Sequence, residues 1–466
     1  MSRRLLPAWL LVVLAVLPAR AQVPFPRDLL PTRTALARLG MERQWMAVVP
    51  LYHDERLMSI TMAEDMVFAQ TNKANFHVIQ AETGQLLWST NLGSQSARAR
   101  GASVNSFGVF VTNMNSLYAL DRRSGRTMWV KDLGNLPSSQ TACDEERVMV
   151  GLSNGKIYAF NLKVKKGGNS TISSRPIEAW NWQTGAIVES RPLPASRVVA
   201  FGSDDGRVYV AYADERTMLY RIATGGPIGA GLGGYGTRLL LVPSQDRNLY
   251  GVDIFTAQVL WTFPSGAPVA QEPLVADNEI FVVNTAGLLS SLDPNSGTAR
   301  WTTSTQGGRL VSIGGKRVYL ESVDGDLFVN DRATGQTIAD PRATLERVGL
   351  NLRPYELGLT NRMNDRLYFA TTSGMVICLR EIGQTEPRLL RDPKAPPFGY
   401  IPASGLTTTP PAPPAAEEAP APAEGKDAPA GDKPAEPDAP AGDKPSEPAP
   451  AGDPKPAPAP GGADAK

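Results

Sequence analysis

Short apolar runs separated by polar turns fill the chain from about residue 44 to residue 383. Runs such as Val109-Phe-Val-Thr112, Ile280-Phe-Val-Val283 and Val318-Tyr-Leu-Glu321 are β-branched and aromatic. Such residues suit strands of a twisted sheet packed on both faces. The turns include Ser153-Asn-Gly155, Ser203-Asp-Asp-Gly206 and Val323-Asp-Gly325. Asn-Gly and Asp-Gly tolerate positive φ and fit tight hairpins. No long stretch has helical apolar periodicity.

One longer phrase recurs over this pattern: an apolar strand, an acidic or polar turn closed by Gly or a stand-in, and a second strand ending in Trp. Its clean copies are 77–88, 118–129, 250–261 and 290–301. Trp88 and Trp129 lie 41 residues apart, and Trp261 and Trp301 lie 40 apart. A fixed period near 40 with one hairpin per unit is the signature of a blade array. Degenerate copies raise the count. Residues 138–192 form a long third unit, with its outer strand at Glu178–Trp182 or just after Thr184-Gly185. Residues 198–231 carry Tyr220 in place of Trp and Arg216 in place of Gly. Residues 311–340 keep Gly335 but have Ala339 where Trp is expected, which predicts looser packing there. The last unit offers two inner strands, Arg366–Thr371 and Met375–Leu379. A strand at Gln44–Val49 is expected to complete it, because closing the ring removes both open edges. The expected fold is all-β: an eight-bladed β-propeller of four-stranded antiparallel blades over 41–390, with an N-terminal closing strand. Seven blades is the alternative.

The ends differ from the body. Residues 1–21 read as an export signal: Arg3 and Arg4, an apolar run from Leu5 to Leu17, and Ala19-Arg20-Ala21 as a cleavage site. The run is short for a transmembrane helix, which needs about 20 apolar residues. Residues 22–40 read as a linker with a possible short helix at Arg33–Leu39. Residues 391–466 read as a disordered Pro/Ala-rich tail, which lacks aromatic residues from Ala403 on. The net charge of +1 gives no broad electrostatic case for nucleic acid. Cys143 and Cys378 sit at different positions of distant units, so two separate buried thiols are expected.

The repeat [Tyr/Val]-x-Leu-Asp-x-x-[Ser/Thr]-Gly-x-x-x-Trp resembles that of the PQQ-type propeller family, over nearly the whole of 41–390. The resemblance implies that Trp88, Trp129, Trp261 and Trp301, with Tyr220 as a stand-in, dock against the neighbouring blade. It also implies that Gly84, Gly125 and Gly297 close the turns, with Ala257 departing from that Gly. An indole so placed buries a large apolar area and keeps an N–H for a neighbouring carbonyl. Two branches of the family bear on function. Quinoprotein dehydrogenases hold PQQ and calcium and typically carry an adjacent Cys-Cys pair, which this chain lacks. BamB-like proteins are cofactor-free scaffolds in outer-membrane protein assembly, and they are similar to this chain in size, blade count and export signal. The signal has no lipobox Cys after it.

The residues themselves offer little chemistry. The chain has two histidines, His53 and His77, and no cluster with zinc-ligand spacing. Gly229-Ala-Gly-Leu-Gly-Gly234 lacks the strand-and-helix context of a dinucleotide loop and reads as a flexible connection. Asp121, Asp253 and Asp293 belong to the repeat and serve its turns. The most individual segment is the insertion 163–175. Its cations Lys163, Lys165, Lys166 and Arg175 are expected on a mobile loop that could meet an acidic partner. The sequence thus predicts a periplasmic or secreted, monomeric, non-enzymatic scaffold with no catalytic, cofactor-binding or metal residues, holding protein partners of the envelope. The alternatives are a PQQ-dependent dehydrogenase and an extracytoplasmic ligand-binding or sensory propeller. The last of these predicts a polar pocket in the central channel.

Overall fold

The computed structural model of the protein describes residues 30–401 apart from 95, 97–99 and 167–168. The export signal expected at 1–21, the linker up to 29 and the chain from 402 onward lie outside the described residues. The chain divides between Leu406 and Thr407, and every described residue belongs to the first unit.

Eight four-stranded antiparallel sheets follow one another along the chain as the blades of an eight-bladed β-propeller. Blades 1 to 7 begin at Leu57, Ser103, Ala142, Leu193, Gly233, Leu274 and Arg309, and each keeps its strands in chain order. Burial follows the sequence pattern. All six residues of Met66–Thr71, a second strand, are buried between neighbouring blades. In the fourth strand of that blade, Leu86–Asn91, only Trp88 is buried. Turns between first and second strands share one face of the ring with those between third and fourth. The connections between blades lie on the other face.

Blade 8 is built from both ends of the chain. Its order is Met41–Val48, Met375–Glu381, Leu367–Ala370 and Leu357–Gly358. The N-terminal strand is therefore its outermost member, with Met41 opposite Glu381 and Val48 opposite Met375. Arg380 Nε meets Glu42 at 2.9 Å across this seam. The two-residue innermost strand Leu357–Gly358 is too short for an apolar run to announce it.

The junction of blades 7 and 8 is filled, contrary to the expectation of looser packing. The fourth strand of blade 7 is only Thr337–Ala339. The space left by the missing indole is taken by a short helix, Arg33–Arg38, whose N-terminus is capped by Thr32 Oγ1 accepting from Ala35 N at 3.2 Å. Ala35, Leu36 and Leu39 join Met41, Leu350, Leu352 and Tyr355 in one buried cluster with Val311 and Tyr319 of blade 7 and Leu367 and Phe369 of blade 8. Burying each large apolar side chain contributes about 1.5–3 kcal/mol. The Arg317 guanidinium donates to the Leu39 carbonyl, and Arg38 Nη1 donates to the Val348 carbonyl at 3.2 Å.

Beyond blade 8, residues 384–401 turn back as a strap over the first-to-second-strand turns. They include 391–401, counted with the tail above. Arg388 N donates to Asp365 Oδ1 in blade 8 at 3.1 Å, Arg388 Nη1 to Gly314 O in blade 7 at 3.3 Å, and Arg388 Nη2 pairs with Asp277 of blade 6 at 2.5 Å. Gly399 N donates to Thr237 O in blade 5 at 2.9 Å. Leu390 is buried with blades 6 and 7, and Phe398 with blades 4 and 5. These two apolar anchors explain why the packed chain runs past 390.

Candidate functional site

The repeat residues form a series of seats between blades. Trp88 Nε1 donates to Arg122 O at 2.8 Å, Trp261 to Pro294 O at 2.9 Å and Trp301 to Arg332 O at 2.8 Å, each in the next blade. The Tyr220 hydroxyl donates to Ile254 O in the same way. Trp129 is buried with Phe160 and Leu162 of blade 3. Two further indoles occupy such seats and were not assigned from the sequence. Trp45 of the closing strand donates to Ala81 O at 2.9 Å, and Trp180 of blade 3 to Ala213 O at 2.9 Å. In the seats of Trp45, Trp88, Trp261 and Trp301 a turn Gly lies three residues past the acceptor and forms the floor, whereas Arg216 follows Ala213 and Ala257 follows Ile254 at that position. A Cβ at Gly84 would stand 2.6 Å from the Trp45 ring, and one at Gly297 or Gly335 would stand 2.5 Å from Trp261 or Trp301. Gly125 faces Trp88 in the same manner. The Asp residues before these turns accept backbone N–H groups: Asp121 from Ser124 at 2.8 Å, Asp253 from Phe255 at 2.9 Å and Asp293 from Asn295 at 2.9 Å.

The insertion in blade 3 is a strand extension and not a loose loop. Lys156–Lys166 pairs with Asn169–Gln183, and the ladder continues to Lys166 opposite Asn169. Alternating polar and β-branched residues, among them Val164, Thr171 and Ile172, allow the hairpin to zip up. Lys163 Nζ is held by Glu146 at 2.9 Å and lies 5.9 Å from the centre of the Phe107 ring. Arg175 is exposed beside the buried Ser173, and Ile172 is 51% exposed. The side chains of Lys165 and Lys166 lie outside the described residues.

The other concentration of polar groups is at the ring axis. A cavity of about 480 Å³ is lined by Arg100, Arg191, Arg309 and Arg362 together with Glu189 and Glu272. Most of its lining precedes an innermost strand, on the connections between blades. Glu272 of blade 6 is 9% exposed. It takes Arg191 Nη2 of blade 4 at 2.6 Å on Oε1 and Arg362 Nη1 of blade 8 at 2.9 Å on Oε2. Burial alone raises the pKa of Glu272, but Arg191 and Arg362 outweigh it and hold the carboxyl below its usual range. The glycine run is part of this wall and not a slack connector: Leu232 is fully buried, and a Cβ at Gly231 would stand 2.9 Å from the Glu272 carboxyl carbon.

Cys143 and Cys378 are free thiols. Burial pushes both up to about 12, so they stay protonated and inert at neutral pH. Among the described residues no group of three or more His, Cys, Asp or Glu is placed to hold a metal. No helix among them is long and apolar enough to cross a membrane.

Residues 34–227 and 204–405 each match the family described as outer membrane protein assembly factor BamB. Among curated proteins, the chain is similar to the outer membrane protein assembly factor BamB of Yersinia pestis, 21% identical over 51% of this chain and 64% of that protein. The corresponding protein of Burkholderia pseudomallei (strain K96243) is 21% identical over 47% of this chain and 58% of its own length. The aligned region thus spans less than two thirds of either relative. Among solved structures, BamB from Moraxella catarrhalis superposes with a TM-score of 0.58 at 16% identity, over 74% of this chain and 98% of that one, a likeness of fold.

Proposed function

Since the chain belongs to the BamB family of PQQ-type propellers, we propose that it is an exported, non-catalytic scaffold of the cell envelope that holds protein partners during outer-membrane protein assembly. What supports this reading most is the family match across both halves of the ring. The architecture is compatible with it. Seats, strap and closing strand make a platform, and the blade 3 hairpin presents a 15-residue outer strand, Asn169–Gln183, with no further strand paired to its outer edge among the described residues. A free edge of this kind accepts an extended partner segment through backbone hydrogen bonds. Arg175 beside it, with Lys163, Lys165 and Lys166 on the paired strand, favours an acidic segment.

The test is crosslinking of the full chain in its native envelope, followed by identification of the joined proteins. Recovery of outer-membrane assembly components supports the reading, and their absence overturns it. Neutralising Lys163, Lys165, Lys166 and Arg175 together is expected to reduce that recovery; unchanged recovery would remove the hairpin from the proposal. Dye reduction with alcohols or sugars after adding PQQ and calcium would place the chain with the dehydrogenases instead.

A further inference from the structure

The arginines of the axial cavity come from four separate places on the ring. Arg191 enters with blade 4, Arg309 with blade 7 and Arg362 with blade 8, while Arg100 lies on the connection from blade 1 to blade 2. Two carboxylates share the lining. Glu189 has its Oε2 3.3 Å from the Cβ position of Gly229, where Asp204 and Gln245 also converge, at the wall between blades 4 and 5. Glu272 is held as an incoming carboxylate would be. Arg191 grips it in a fork, Nη2 to Oε1 at 2.6 Å and Nε to Oε2 at 3.3 Å, and Arg362 closes on Oε2 at 2.9 Å. Planar guanidinium groups bind carboxylates in this bidentate way.

The backbone is shaped for these side chains. A Cβ at Gly231 would stand 2.9 Å from the Glu272 carboxyl carbon, and a Cβ at Gly358 would stand 2.9 Å from the Arg309 guanidinium carbon. Gly231 at the cavity wall and Gly358 beside it therefore leave room for these charged groups against the main chain. Arg309 is tied from behind by Glu321, which is not part of the lining. Arg100 has no acidic partner among the described residues. Among the described residues the lining carries four arginines with Glu189 and Glu272, while Asp204 and Glu321 stand just behind it.

We propose that this cavity is a receptor site for a small polycarboxylate, with Glu272 as its built-in placeholder. The ligand places one carboxylate against Arg191 and Arg362 and another toward Arg100 and Arg309. Glu272 yields part of its grip when the ligand enters. The site is separate from the blade 3 hairpin and does not depend on any protein partner.

Calorimetric titration of the full purified chain with citrate and malonate, at fixed ionic strength, tests this, with acetate and inorganic phosphate as comparison arms. Citrate is expected to bind more tightly than acetate and phosphate. Glu272→Gln removes the placeholder while leaving both arginines, so citrate affinity should rise by about tenfold, the order of one charge-assisted contact. Arg100→Gln, at an exposed position, should weaken it severalfold without changing the thermal midpoint. Arg191→Gln with Arg362→Gln should abolish it, provided circular dichroism shows a folded ring. No citrate binding by either the wild-type chain or the Glu272→Gln chain would overturn the proposal. So would phosphate binding tighter than citrate, or a Glu272→Gln chain with weakened affinity.

Discussion

Tyr220 and Ala257 depart from the repeat together. The Tyr220 hydroxyl donates to Ile254 O, the position at which other seated aromatics find their acceptor. Three residues on, Ala257 holds φ at 62° where Gly stands in blades 1, 2, 6 and 7. A phenol is narrower than an indole and leaves room for the methyl group that Gly84 and Gly297 could not carry. Tyr220→Trp alone is therefore expected to overpack the seat and cost about 1–3 kcal/mol. Ala257→Gly should relieve most of that, giving a coupling of about 1 kcal/mol in a double-mutant cycle read by urea unfolding. Additive effects would show that the two positions are not matched.

Gly297 and Gly266 separate backbone strain from contact. Both have positive φ, 69° and 79°, but only Gly297 faces an indole, while Gly266 has nothing within 4 Å of its Cβ position. Each Gly→Ala change carries about 1–2 kcal/mol of left-handed strain. Gly297→Ala should add about 1–3 kcal/mol of overpacking against Trp261. Equal losses at the two sites, measured by denaturant midpoints, would refute the seat.

His77 should make the fold acid-sensitive before its carboxylates do. Its ring is 3% exposed, and Nδ1 meets Ser89 Oγ at 2.7 Å. Burial lowers its pKa, and the charge of Glu55 only partly offsets this. A histidine with a depressed folded pKa contributes its full stability above the unfolded pKa of about 6.5 and loses it as pH falls toward the folded value. The thermal midpoint should fall from pH 7 to pH 5, and His77→Gln should flatten that slope. The other histidine, His53, is exposed, so a slope unchanged by His77→Gln would mean that another group titrates.

The strap is expected to open locally. Phe398 is 5% exposed, and its ring lies against Gly234, whose Cβ position is 2.8 Å away. Phe398→Ala should weaken this anchor by about 3–5 kcal/mol. The expected readout is faster trypsin cleavage after Arg388 and Arg391, with the ring midpoint moving less. If the ring unfolds before the strap is cut, the strap is not a separate element.

The ring was legible because each blade writes its own hairpin into consecutive residues. The two unassigned seats show where that stops. Trp180 lies 51 residues after Trp129, because the hairpin extension stretches its unit. Trp45 has no preceding turn of its own, since its partner strand comes at Met375–Glu381. Blade 7 lost its Trp, and its filler, Leu36 and Leu39, precedes the first blade by sequence, so no local pattern joins them. The axial arginines were invisible for a related reason. Arg191, Glu272 and Arg362 meet only because the ring brings three remote connections to one axis. The insertion reads as a loop in the sequence because its polar composition hides a regular cross-strand pairing.

Met41 pairs with Glu381, and this contact sets an order of events in the life of the chain. The strand synthesised first is the strand used last. Until blade 8 exists, blades 1 to 7 stack with an open edge at each end, and Trp45 has a neighbour in blade 1 but no sheet to belong to. Closure of so long a loop is slow and comes late, since non-local pairing is entropically deferred. A permuted chain that begins at Leu51 and carries residues 30–50 after residue 401, behind a flexible Gly/Ser linker long enough to return from blade 5 to blade 8, would turn this remote pairing into a nearer one. It should reach the same ring faster.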